Sequence, residues 1–195
     1  MEHAFNTLTE TRLTPLRVLE KDGAVVPGRH IVPGVWFVAD TDEGEMEGRF
    51  SSTPDTLLRF RFDVRKPGRW LSFNVAVDGA ALPRDHVLGV IVETSSPTPV
   101  PFQFGIRSGR GKSFVDSPFA DSHVAGPGRK VQVSLLEIGD APALQEPAPW
   151  RNLRMVFTPA SFDLCLHDAR IFIAAAGAFA PQTGTALPDL AARAG

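Results

Sequence analysis

Apolar residues in this chain recur at every second position in short runs. Leu58, Phe60, Phe62 and Val64 alternate with Arg59, Arg61 and Asp63. After the breaker Lys66-Pro67-Gly68, Leu71, Phe73, Val75 and Val77 alternate with Ser72, Asn74 and Ala76. A period of two marks a strand with one dry face. Two such runs joined by a tight breaker predict an antiparallel pair sharing that face.

The pattern repeats along the chain. Val87 to Val92 is almost continuously apolar, as for a strand inside a sandwich. Val100, Phe102, Phe104 and Ile106 alternate with Pro101, Gln103, Gly105 and Arg107. Val131, Val133 and Leu135 alternate with Gln132 and Ser134, and Leu153, Met155 and Phe157 with Arg154 and Val156. Ile31 to Val38, interrupted by Pro33-Gly34, reads as an edge strand, because proline donates nothing to an inner ladder. With the closing run near residue 165 this gives about eight to ten strands, enough for two stacked sheets.

Residues 1–22 are polar and mixed, with a short strand at Leu16-Arg17-Val18-Leu19 as their one regular candidate. Residues 177–195 turn Ala-rich and aperiodic, a tail with at most a helix from Leu187 to Arg193. The expected organisation is therefore a leading segment 1–22, a sandwich over 23–176 and a tail 177–195.

Composition narrows the function classes. The formal net charge of -2 gives no electrostatic reason to expect nucleic acid. No apolar run is long enough to span a bilayer. The start shows neither a basic stretch nor an apolar core of a signal peptide, so a cytoplasmic protein is expected. The lone Cys165 reads as an inert, half-buried thiol. Fourteen Phe but no Tyr favour a dry core over a ring-rich wet surface.

Several clusters invite chemistry. Residues 40–47 carry Asp40, Asp42, Glu43, Glu45 and Glu47 without a basic residue. They form either a hard-cation site such as calcium or a solvated acidic loop; the spacing is not that of an EF-hand. Residues 105–123 read as the longest polar connection and hold Arg107, Arg110, Lys112, Asp116, Asp121 and His123. Guanidinium and carboxylate groups together suit sugar hydroxyls, which donate and accept; the alternative is a surface loop whose charges pair internally. Gly111-Lys112-Ser113 is no phosphate loop, because the required earlier glycine is replaced by Ile106.

The five histidines are scattered, and no Gly-x-Ser-x-Gly elbow is present. Of the three tryptophans, Trp70 reads as a cap on the core, Trp36 is ambiguous, and Trp150 is the best exposed platform for a sugar ring.

The run Ser161 to Ile173 is the most informative. Phe162, Leu164 and Leu166 carry the dry face until His167-Asp168, after which Ala169, Ile171 and Ile173 carry it. Such a phase shift predicts a bulge with Asp168 on it. This run resembles the last strand of galactose-binding-like jelly rolls, the fold of many carbohydrate-binding modules. The resemblance covers roughly residues 50–175. It implies a structural calcium between the acidic segment and the last strand, with Asp168 and Asp40 or Asp42 as ligands.

The fold expected is all-β: a two-sheet antiparallel β-sandwich, a jelly roll of the galactose-binding-like kind. The function expected is a non-catalytic carbohydrate-binding module, tied to glycan synthesis or export. Arg59, Arg61, Asn74, Gln103 and Arg107 are the polar strand residues expected to line its site, with Arg110, Asp116, Asp121, His123 and Trp150. The alternatives are a protein-interaction domain, with a partner or a homodimer, and a sugar-active lyase or hydrolase. Fold alone does not choose among them.

Overall fold

The computed structural model describes residues 4–179 of the chain. A helix, α1 (Ala4–Val18), precedes twelve strands. They are β1 (Lys21–Val25), β2 (His30–Val32), β3 (Val35–Ala39), β4 (Glu45–Thr53), β5 (Thr56–Lys66) and β6 (Leu71–Val77). There follow β7 (His86–Ser95), β8 (Val100–Arg110), β9 (Ser113–Ala125), β10 (Lys130–Glu137), β11 (Arg151–Phe157) and β12 (Phe162–Ala175). Two six-stranded antiparallel sheets stack face to face, in the orders β1-β4-β5-β12-β7-β10 and β2-β3-β6-β11-β8-β9. This is the expected sandwich, a jelly roll. Its core is phenylalanine-rich: the Phe60 ring packs against Phe37, Phe73 and Phe157 across the interface and against Phe162 on the neighbouring strand.

The closing strand behaves as its phase shift predicts. Leu164 and Leu166 are buried, the register slips between Leu166 and Asp168, and Ala169 and Ile171 resume the buried face. Before the slip β12 pairs with β5, and after it with β7 alone.

Five local expectations are corrected. The runs at 57–77 are not a hairpin. β5 and β6 belong to opposite sheets, and Pro67–Trp70 carries the chain across the edge of the sandwich. Both runs still present their dry faces to one core, which is why alternation alone reads as a pair.

Residues 105–123 are strand, not a long loop. β8 and β9 form one hairpin, closed by Gly111-Lys112 with Gly111 at φ 59°. Pro33-Gly34 likewise turns β2 into β3, so β2 is the edge strand and β3 an inner one.

The phase of β10 is inverted. Val131 and Val133 are 66% and 48% exposed, whereas Ser134 is fully buried. Polar contacts fix this choice: Thr94 donates to Gln132 at 2.8 Å, and Ser134 bonds the His123 ring. A seam of paired polar groups closes this edge of the sandwich, and the valines face out.

Finally, residues 4–18 are helical, with no strand at Leu16–Leu19. Leu13 and Leu16 lie three apart on one helix face and are buried in the core. The helix ends beside β12, where the Arg17 guanidinium bonds the Asp168 carboxylate and donates to the Ala169 carbonyl at 2.7 Å. Residues 180–195, including the helix expected over Leu187 to Arg193, lie outside the described residues.

Candidate functional site

The outward face of the sheet β2-β3-β6-β11-β8-β9 carries a groove of about 490 Å³. Strand register builds its floor. Trp36 lies opposite Asn74, Asn74 opposite Arg154, and Arg154 opposite Gly105. One row along, Asn152 faces Arg107 and Arg107 faces Asp116. Because side chains alternate, every one of these polar residues points away from the core that Phe73, Leu153 and Met155 fill from the other face.

Four rings frame this floor: Trp36 on β3, Trp70 just before β6, Trp150 just before β11, and Phe114 on β9. Each is held by a neighbour. The Trp36 indole stacks on His30 at 4.9 Å between centroids. The Arg69 guanidinium lies 4.8 Å over Trp70, and that of Arg107 3.6 Å over Phe114. Trp150 lies against Gly109, where a Cβ would come within 2.4 Å of the indole. The rings nonetheless meet solvent, with Trp70 37%, Trp150 41% and Phe114 50% exposed. Apolar rings around a polar floor suit a ligand with both hydroxyls and C–H faces.

The floor is partly committed. Asn74 donates to the Ser72 carbonyl at 3.0 Å and to its hydroxyl at 3.1 Å. Arg107 binds Asp116 through two bonds of 2.7 Å, and this holds the Asp116 carboxyl below its usual range. Arg154 reaches the same carboxylate at only 3.5 Å; burial, then the nearby Arg107 charge, pull its pKa down.

Of the residues expected at the site, Asn74, Arg107 and Trp150 line the groove, and Asp116 braces it through Arg107 and Arg154. Gln103 shares the face, but its amide donates to the Phe119 carbonyl at 2.8 Å where β9 departs from register. Arg110 lies beyond the groove and pairs with Glu146. Asp121 is exposed in the same irregular stretch of β9. His123 faces inward, its ring 5.5 Å from that of Phe102.

Arg59 and Arg61 are on the other sheet. Arg59 binds Asp163 at 2.9 and 2.6 Å, and Arg61 binds Asp63 at 3.0 Å. They share no face with Asn74, because β5 and β6 lie in opposite sheets.

The candidate calcium ligands are not assembled into a cage. The buried Asp40 carboxylate accepts from the Arg69 backbone and side chain at 3.0 and 2.9 Å. It also accepts from the Asp42 backbone at 3.3 Å. Asp168 is bound by Arg17 and Arg170 instead. Among the described residues no three His, Cys, Asp or Glu side chains group as metal ligands.

The sequence reading left Trp36 undecided and passed over Trp70, Phe114, Ser72, Asn152 and Arg154, all of which line the groove. Trp70 frames the groove rather than capping the core. For five of them the signal was positional: Trp36, Trp70, Ser72, Asn152 and Arg154 fall in the outward phase of, or just before, a run that pairs in this one sheet, whereas no alternating run marks Phe114.

No protein-family model matches the chain, and no curated protein matches it. Among solved structures, a CBM4 structure superposes with a TM-score of 0.55 at 10% identity, covering 78% of this chain and 95% of that one. The Stig cyclase Fisc from Fischerella sp. TAU gives 0.49 at 7% identity over 87% and 96%. The CBM22-1 xylan-binding domain from Paenibacillus barcinonensis Xyn10C gives 0.47 at 9% identity over 77% and 92%. The superposition on the CBM4 structure shows a shared fold, the jelly-roll β-sandwich.

Proposed function

We propose that the protein is a non-catalytic carbohydrate-binding module that takes its ligand in the groove between Trp36, Trp70, Phe114 and Trp150. The observation that carries this reading is the convergence of four braced rings around a hydrogen-bonding floor. Sugar rings match such a surface, with C–H faces for the aromatics and hydroxyls for Asn74, Asn152 and the arginines. The fold shared with a CBM4 structure supports it. The bracing lowers the entropy lost when the rings are immobilised on a ligand.

All three tryptophans of the chain line the groove, so intrinsic fluorescence reports occupancy directly. Titration with a panel of oligosaccharides should shift or quench it. Trp150→Ala should weaken binding about tenfold, the scale of one lost ring contact. No response to any glycan, neutral or acidic, overturns the proposal.

A second reading rests on a different surface. Val131 and Val133 are exposed side by side on the outer face of edge strand β10, and edge strands with apolar faces invite pairing. A protein partner or homodimer would cover them. Light scattering on the wild type and a Val131→Thr/Val133→Thr double variant tests this; a concentration-independent monomer refutes the homodimer.

A further inference from the structure

We infer that the glycan taken by this groove carries an anionic group, a uronate carboxylate or a sulfate ester, and that Arg154 is its receptor. The inference rests on the carbohydrate-binding reading and specifies the class of ligand.

The charge count in the groove is unbalanced. Arg107 and Arg154 line it, and no carboxylate does. Both are answered by one anion at its wall, Asp116. The geometry divides that anion unequally. Arg107 takes both carboxylate oxygens at 2.7 Å, whereas Arg154 has one contact of 3.5 Å to an oxygen already engaged. A guanidinium carries five N–H donors in a rigid fork. Among the described residues, Arg154 makes no other ion pair.

The position of Arg154 makes this imbalance consequential. It stands on β11, a central strand of the sheet, with its side chain only 13% exposed. Water therefore compensates it poorly, and Arg107 beside it repels it. A desolvated, under-neutralised guanidinium favours an anion over a hydroxyl, because charge-assisted bonds are about twice as strong as neutral ones. The other cation near the rim, Arg69, is already committed to Asp40 and Glu43. The rings would hold the sugar while Arg154 selects its charge.

The test is calorimetric titration of the full chain with neutral and acidic oligosaccharides of matched length. The neutral set comprises cello-, xylo- and manno-oligosaccharides. The acidic set comprises oligogalacturonate, oligomannuronate, glucuronoxylan fragments and sulfated dextran fragments. At least one acidic ligand should bind about tenfold more tightly than any neutral one, and raised salt should erode the gap. The uronate and sulfate arms identify which anion is read.

Arg154→Gln should abolish the preference, bringing acidic affinity down to the level of neutral affinity, and Arg154→Lys, which keeps the charge but loses the fork, should retain part of it. Asp116→Asn, at an exposed position, should tighten acidic binding by freeing both arginines. Equal binding of both sets, or neutral ligands alone, overturns this inference and leaves the module reading standing. Silence toward both sets overturns the two together.

Discussion

Gly109 and Trp150 form a matched pair: the backbone of β8 passes so close to the indole that a Cβ at 109 would lie 2.4 Å from its Nε1 and Cε2 atoms. The Gly109 amide also donates to the Trp150 carbonyl at 2.9 Å, so the chain on both sides of the ring is fixed. Gly109→Ala should tilt the indole off the groove. The expected result is weaker glycan binding and a changed tryptophan emission, with unfolding in urea shifted far less than binding. An unchanged affinity would show that Trp150 does not touch the ligand.

Asp40 makes stability depend on acid. Hydrogen bonding from the Arg69 side chain leads in lowering its pKa, to about 2. The unfolded carboxyl titrates near about 3.9, so the folded state binds its proton less readily. This contribution is present above pH ~4 and is lost as pH falls toward about 2. Thermal melts of the wild type should steepen downward through that window. Asp40→Asn should melt lower at neutral pH and show a flatter profile there. The Asp40 carboxylate holds Arg69, whose guanidinium lies 4.8 Å over Trp70, so this variant should also weaken glycan binding.

Arg151 is among the largest fully buried side chains, at 1% exposure. It has no carboxylate partner within bonding reach among the described residues; its fork donates to the Ser108 hydroxyl at 3.0 Å and to carbonyls. Those of Ala80 and Glu146 lie at 2.7 and 2.9 Å. It thus ties segments 78–80 and 143–146 to the strand that follows Trp150. Arg151→Met keeps the bulk but strands these acceptors, and should cost about 3 kcal/mol by urea unfolding. Arg151→Lys cannot span the same carbonyls and should recover only part of the loss.

The N-terminal helix is integral to the sandwich. Leu13→Ala or Leu16→Ala empties a fully buried site and should cost about 2–5 kcal/mol. Arg17→Ala leaves Asp168 with Arg170 alone at the bulge of β12. If α1 were an ornament, all three variants would melt like the wild type.

The strands were legible because their alternation is enforced residue by residue by one buried core. Phe162 to Ile173 shows how far this reaches: even the slip at Asp168 is written in the phase of its apolar residues. Alternation fails where polar groups pair inside, as Ser134 does with His123, because burial then no longer tracks hydrophobicity. It is also silent on which sheet a strand joins, so Arg59 and Asn74 read as one face and lie on two. The groove needed that assignment. Trp36, Asn74 and Arg154 become neighbours only through pairings between residues far apart in sequence.

The strand order carries a consequence for how the protein is made. β11 sits between β6 and β8, and β12 between β5 and β7, yet these are the last two strands of the sandwich to be synthesised. On the ribosome, each sheet therefore exists as two separated halves with raw inner edges until residues 151–175 emerge. Neither half can close early on the other, so the nascent chain should stay sensitive to protease and dependent on holding factors until β12 has emerged.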